Sequence, residues 1–187
     1  QSKVLCSEML ELMQYRYDHI DILDKALDFG FACPIDLHCT YSRDQLLAAL
    51  DFMKPSTVRE GVKWLPEKKL DVLFVTLNKS DKDYSPTTMY EDYSINKTLF
   101  HWQSQSTTGD HSATGQRYIH HREQGSRILL CVRDSKKDAW GNASSYNILG
   151  FVKYVRHTGS KPMSITWRLE NEIPAKYLKQ TSKLIVS

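Results

Sequence analysis

The strongest apolar run in the chain, Val72-Leu73-Phe74-Val75, lies inside Leu70 to Leu77, a stretch dense in β-branched and large apolar residues. Such a stretch is a strand signature, and a chain built around it folds around a sheet. The run is also far short of the roughly 20 apolar residues needed to cross a bilayer. Leu99 to Gln105 alternates, with Phe100, Trp102 and Ser104 on one side and His101, Gln103 and Gln105 on the other, as a strand does. Ile128 to Val132, Tyr146 to Arg156 and Pro162 to Leu169 add three more strands. His157-Thr158-Gly159-Ser160 reads as a turn, which makes the last two a hairpin. Short strands joined by polar, Gly-containing links favour a closed or half-closed barrel over a parallel sheet.

Residues 1–60 have a different character. Leu5, Met9, Leu12 and Met13 recur at helical spacing, and Ile22, Leu23, Ala26 and Leu27 do so again before a stop at Gly30. Ser42-Arg43-Asp44-Gln45 has the form of a capping box and opens a helix through Leu46-Leu47-Ala48-Ala49-Leu50, closed by Pro55. The expected organisation is therefore α+β, with a helical connector over 1–60 and a β domain over 61–187. Charge divides in the same place. Residues 1–60 hold six Lys/Arg against ten Asp/Glu, and the remainder hold nineteen against twelve, giving −4 and +7. All four tryptophans lie in the basic part, so that part is the one suited to nucleic acid.

A hydrophobic content of 41% and a charged content of 25% exclude a disordered or collagenous chain. The absence of a basic-then-apolar leader predicts a soluble, cytoplasmic protein, and a chain opening at Gln1 reads as an excised piece of a longer polypeptide. Cys6, Cys33, Cys39 and Cys131 are scattered without a zinc spacing, even with His38 nearby, so no metal site is expected. There is no phosphate loop, no H-x-K triplet, no G-x-S-x-G elbow and no H-E-x-x-H helix. Glu67-Lys68-Lys69 contains an E-x-K of the kind a metal nuclease uses, but beside Pro66 it reads as a solvated charge cluster. No catalytic residue is expected.

The chemistry concentrates in Thr87-Thr88-Met89-Tyr90-Glu91-Asp92-Tyr93 and the strand after it. A planar base needs aromatic faces and hydrogen-bonding groups at its edge, and these residues supply both. The alternative is plain core packing of Phe100 and Trp102. Gly115-Gln116-Arg117-Tyr118-Ile119-His120-His121-Arg122 offers Arg117, His120 and Arg122 to phosphates, or is simply a solvated turn or short helix. Lys136, Lys137, Lys153, Arg156 and Lys161 add diffuse positive charge.

Tyr41-Ser42-Arg43, Arg59-Glu60-Gly61-Val62, Thr76-Leu77-Asn78-Lys79-Ser80, Tyr90-Glu91-Asp92-Tyr93, Phe100-His101-Trp102-Gln103-Ser104-Gln105, Leu149-Gly150 and Lys161-Pro162-Met163-Ser164-Ile165-Thr166-Trp167-Arg168-Leu169 occur in that order. From about Tyr41 to Pro174 the chain resembles the uncharacterised C-terminal domain that follows the helicase core in bacterial proteins carrying a phospholipase-D-type nuclease. The resemblance implies the target-recognition part of a type IV, modification-dependent restriction enzyme. It implies a curved SRA/PUA-like β-barrel that reads 5-methylcytosine in duplex DNA by base flipping, with 5-hydroxymethylcytosine left open. Its partners would be that DNA and the helicase and nuclease domains of the same polypeptide, with no membrane. ATP and a divalent metal ion would belong to the parent enzyme, and this piece would hold no cofactor. No motif carries over residue by residue with the resemblance; from the residues themselves, Tyr90 and Tyr93, with Trp102, are expected to stack on the base and Asp92 to accept from cytosine N4. Gln103 or Gln105 donates to O2 or N3, and His101 assists. Three alternatives stay open: a small metal nuclease using Glu67 and Lys69, a reader of single-stranded or modified RNA, and a structural domain that docks on the helicase.

Overall fold

The computed structural model describes residues 2–18, 25–78, 92–175 and 177–178. In chain order it contains α1 (Ser2–Asp18), β1 (Lys25–Ala26), β2 (Asp36–Leu37), β3 (Thr40–Tyr41), α2 (Arg43–Ala49), β4 (Val62–Leu65) and β5 (Leu70–Thr76). It continues with β6 (Tyr93–Ser94), β7 (Leu99–Gln103), α3 (Ala113–Ile119), β8 (Arg127–Arg133), β9 (Tyr146–Thr158) and β10 (Ser164–Leu169). The fold is mixed α+β, as the sequence suggests. Strands pair in the order β4-β5-β8-β9-β10-β7-β6, with β3 also on β9, and β1 and β2 form a separate small ribbon. The hairpin of β9 and β10 is present, with Ser164 opposite Thr158.

Of the expected closed or half-closed barrel, the closed form is corrected: the sheet is open. Among the described residues nothing joins its two edges, β4 and β6, which are four and two residues long. One internal pair, β5 with β8, runs parallel, because the chain between them crosses through β6, β7 and α3. The sheet is nevertheless strongly curled. Leu73 and Val75 of β5 share one core with Phe100 and Trp102 of β7, although three strands separate β5 from β7. Tyr118 of α3 is buried in that same core, so the concave side wraps around α3.

The opposite face carries a second core. Leu46, Leu47 and Leu50 pack with Phe29 and Ile35 against Val72, Phe74, Leu129, Cys131, Ile148 and Phe151. Within residues 1–60, expected as a helical connector, Phe29 to Leu50 thus belong to the packing of the sheet. Covered on both faces, β5 is buried at every position, which is why it reads as a continuous apolar run rather than an alternation. Two glycines are dictated by contact. A Cβ on Gly115 would meet the Gly109 carbonyl oxygen at 2.1 Å, so α3 can sit on that loop only with glycine there. Gly150, at φ +93°, lies at the register shift opposite Leu130, where a Cβ would strike Leu37.

The Ser42 cap forms as expected: Gln45 N–H donates to Ser42 Oγ and Ser42 N–H donates to Gln45 Oε1. Helix α1 also forms, with Leu5, Met9, Leu12 and Met13 exposed. The second expected helical stretch differs. Ile22 and Leu23 lie outside the described residues, while Ala26 sits in β1 and Leu27 N–H donates to the Ile35 carbonyl. Pairing with β2, across the loop that follows, overrides local helical spacing. No helix among the described residues is long and apolar enough to cross a membrane.

Candidate nucleic-acid interface

The alternation of β7 places the expected base-pocket residues on two sides of the sheet. Phe100 and Trp102 point into the concave core, where Trp102 meets Tyr118 edge-on at 5.5 Å and Trp167 at 6.1 Å. Trp102 is therefore a core residue and has no ring face turned toward His101 and Gln103. Cross-strand pairing sets Tyr93, His101, Thr166 and Arg156 in one row over four strands, on the outer face. The Tyr93 and His101 rings stack at 4.8 Å and 17°. Asp92 Oδ1 accepts the Gln103 backbone N–H at 2.9 Å, and Gln103 Nε2 donates to Ser164 Oγ. Gln105 turns away, its Oε1 accepting from Thr108 Oγ1 and the Tyr118 hydroxyl. Tyr90, with Thr87, Thr88, Met89 and Glu91, lies outside the described residues. The described members of the set form an outer polar row and an inner core, and do not converge on one cavity.

The basic residues divide as well. Arg117 was expected on phosphate, but its guanidinium forks onto Asp71, Nε to Oδ2 at 2.7 Å and Nη2 to Oδ1 at 3.0 Å, and lies 4.3 Å above the Trp64 ring. Asp71 is wholly buried, so this charge is committed to holding α3 on β5. Burial raises the Asp71 carboxyl above its ordinary range, while the hydrogen bond and charge of Arg117 oppose that. His120 Nδ1 sits 2.9 Å from Glu123 at the surface. His121 is buried and uses both ring nitrogens: Nδ1 meets the Ser126 carbonyl at 3.2 Å and Nε2 accepts from Tyr154 N–H at 3.1 Å. Only a neutral imidazole protonated at Nδ1 satisfies both, and burial depresses its basicity accordingly. Arg122, Lys136, Lys137, Arg156 and Lys161 are exposed.

Lys136 and Lys137 stand on a feature not singled out from the sequence, the loop between β8 and β9. Asp138 Oδ1 accepts from the backbone N–H groups of Trp140 and Asn142, and Lys137 bridges to Ala143, fixing the tip. Trp140 at that tip is 85% exposed. The feet of the loop, Asp134 and Ser145, line a cavity of 160 Å³ together with Thr40, Leu77, Val132, Arg133, Asn147, Leu149 and Tyr177. Its apolar walls Leu77, Val132 and Leu149 belong to the concave core around α3 or pack against it. Arg133 at the rim donates from Nε to Thr76 Oγ1 and lies over the Tyr146 ring. Sequence reading missed Trp140 because one aromatic in a polar link carries no periodicity. It missed the cavity because its walls come from residues 40 to 177.

A family model matches residues 35–180, which take in the whole main sheet with α2 and α3. The chain belongs to the family described as a domain of unknown function (DUF3427). The match contains β2 to β10, α2 and α3, so the core around α3 and the cavity at the β8–β9 loop fall within the family domain, while α1, β1 and Phe29 of the second core precede it. No curated protein matches the chain. Among the described residues no three His, Cys, Asp or Glu side chains are grouped as a metal ion would need. Glu67 and Lys69 lie exposed at a 3₁₀ turn between β4 and β5, next to a Lys68–Asp51 ion pair of 2.6 Å.

Proposed function

We propose that this chain is the DNA-binding target-recognition domain of a type IV, modification-dependent restriction endonuclease, and that it reads 5-methylcytosine in duplex DNA by rotating the base out of the stack. The sequence motifs support this through their similarity to the corresponding domain of SauUSI, an enzyme of that type. A strongly curled sheet around one helix supports an SRA-like reading of the fold. The observation that carries the proposal is the β8–β9 loop: a tryptophan held 85% in solvent, two lysines beside it, and a cleft at its feet. A polyanion is drawn to the lysines, and an aromatic edge between base steps unstacks them at a cost of a few kcal/mol. Arg122, Arg156 and Lys161 add backbone attraction without sequence information. Scission and ATP hydrolysis fall to the helicase and nuclease domains of the parent polypeptide, so this domain supplies selectivity and is not itself an enzyme.

Replacing both Lys136 and Lys137 by alanine tests the assignment. Affinity for methylated and unmethylated duplexes falls equally, and the slope of log K against log salt drops by about 2 in magnitude. A loss confined to the methylated duplex contradicts a backbone role for this loop.

A further inference from the structure

We infer that the outer face of the β9–β10 hairpin is a second phosphate-binding surface, on which Arg156 and Arg168 hold the backbone of duplex DNA away from the β8–β9 loop. The inference rests on the reading of the chain as a DNA-binding domain and goes beyond it by giving the molecule two separate contacts at opposite ends of β9. Alternation fixes the face. Ile165, Trp167 and Leu169 point into the concave core, so Ser164, Thr166 and Arg168 point outward. The register sets Arg168 directly opposite Lys153, and Arg156 opposite Thr166 in the next row. Like charges facing each other across an antiparallel pair destabilise it, and here both are exposed cations. Glu170 meets Lys153 at 3.0 Å, and Asp92 accepts the Gln103 N–H at 2.9 Å. Among the described residues the side chains of Arg156 and Arg168 have no hydrogen bond, ion pair or ring contact. Two arginines kept without a counter-ion beside a lysine are a standing electrostatic cost, which an anionic ligand removes. The rest of the face decides the class of anion. Val155 is the single exposed large apolar residue of β7, β9 and β10, and the outward side chains around the arginines are Thr158, Ser164, His101 and Gln103. A protein partner would need an apolar centre depleted of charge, which this face lacks. Phosphate oxygens are instead met by guanidinium forks and by hydroxyl and amide groups. Lys136 and Lys137 precede the first residue of β9 and Arg156 lies near its last, so at about 3.3 Å per residue roughly 30 Å of strand separates the two surfaces. No single phosphate reaches both, and their contributions therefore add.

Anisotropy titration of the 187-residue chain over a salt series, with methylated and unmethylated duplexes long enough to span β9, tests this. The variants are Arg156→Gln with Arg168→Gln, Lys136→Ala with Lys137→Ala, and all four together. Lys54→Gln with Arg59→Gln, two exposed cations elsewhere, changes the net charge by the same amount as either pair. The arginine pair should lower the slope of log K against log salt by about 2 for both duplexes, and the combined variant by the sum of the two pairs. The Lys54 and Arg59 pair should leave the slope close to wild type. The melting temperature of Arg168→Gln at low salt should hold or rise, because its opposition to Lys153 is relieved. A wild-type slope in the arginine pair, an equal fall in the Lys54 and Arg59 pair, a loss confined to the methylated duplex, or a lowered melting temperature of Arg168→Gln overturns the second surface and leaves the DNA-reader proposal standing. A reduced slope in the arginine pair, in a protein whose wild type binds both duplexes alike, upholds the surface and overturns the reading of 5-methylcytosine. No salt-sensitive binding by the wild type overturns both.

Discussion

Asp71 and Arg117 show how a residue suited to phosphate becomes structural. A fully buried carboxylate needs a charge-assisted partner, and the fork from α3 provides it. Arg117→Ala should destabilise the fold by about 3–5 kcal/mol in urea unfolding, because Asp71 is left buried and unpaired. A DNA-contacting role would instead appear as lost affinity at unchanged stability. His121 gives the pH dependence. Burial is the main cause of its lowered basicity; Arg122 and Lys153 act the same way, and the Ser126 hydrogen bond and Glu170 oppose it. Its native value thus lies below the ordinary value of 6.5, and between the two the unfolded chain binds more protons. Stability is full above 6.5 and is lost as pH falls through that window. His38, also lowered by burial, adds with the same sign. Thermal melts should show a falling midpoint from pH 7 to 5, with a smaller fall in His121→Gln.

At the level of single elements, signals confined to a few neighbouring residues are legible in the sequence. Ser42 and Gln45 lie three residues apart and carry their cap whatever surrounds them. Ser42→Ala should therefore cost about 1 kcal/mol in chemical denaturation, and an unchanged midpoint would show that the cap contributes nothing. The alternation of β7 was equally readable, since a half-covered strand must alternate. Ala26 and Leu27 depart from their helical spacing because their partners, Asp36 and Ile35, lie a loop away. The spacing of Leu5, Met9, Leu12 and Met13 predicts helix α1, but no spacing rule reveals that these residues stay exposed.

For the whole molecule, the sequence showed the α+β class and the β9–β10 hairpin, because both follow from runs and turns. It did not show an open sheet, since closure depends on whether the two end strands can meet, and β6 is only two residues long. The candidate site was legible where charge is local, at Lys136 and Lys137. It was illegible where distant residues converge, as at Thr40, Leu77, Asn147 and Tyr177. The outer row of Tyr93, His101 and Arg156 remains a polar surface on the opposite side from that cavity. The most direct test of the central claim is competition binding of the 187-residue chain to two otherwise identical duplexes, one carrying 5-methylcytosine, at near-physiological salt. The account predicts tighter binding of the modified duplex by about tenfold or more. Equal affinity for the two duplexes, or no salt-sensitive binding to either, would contradict it.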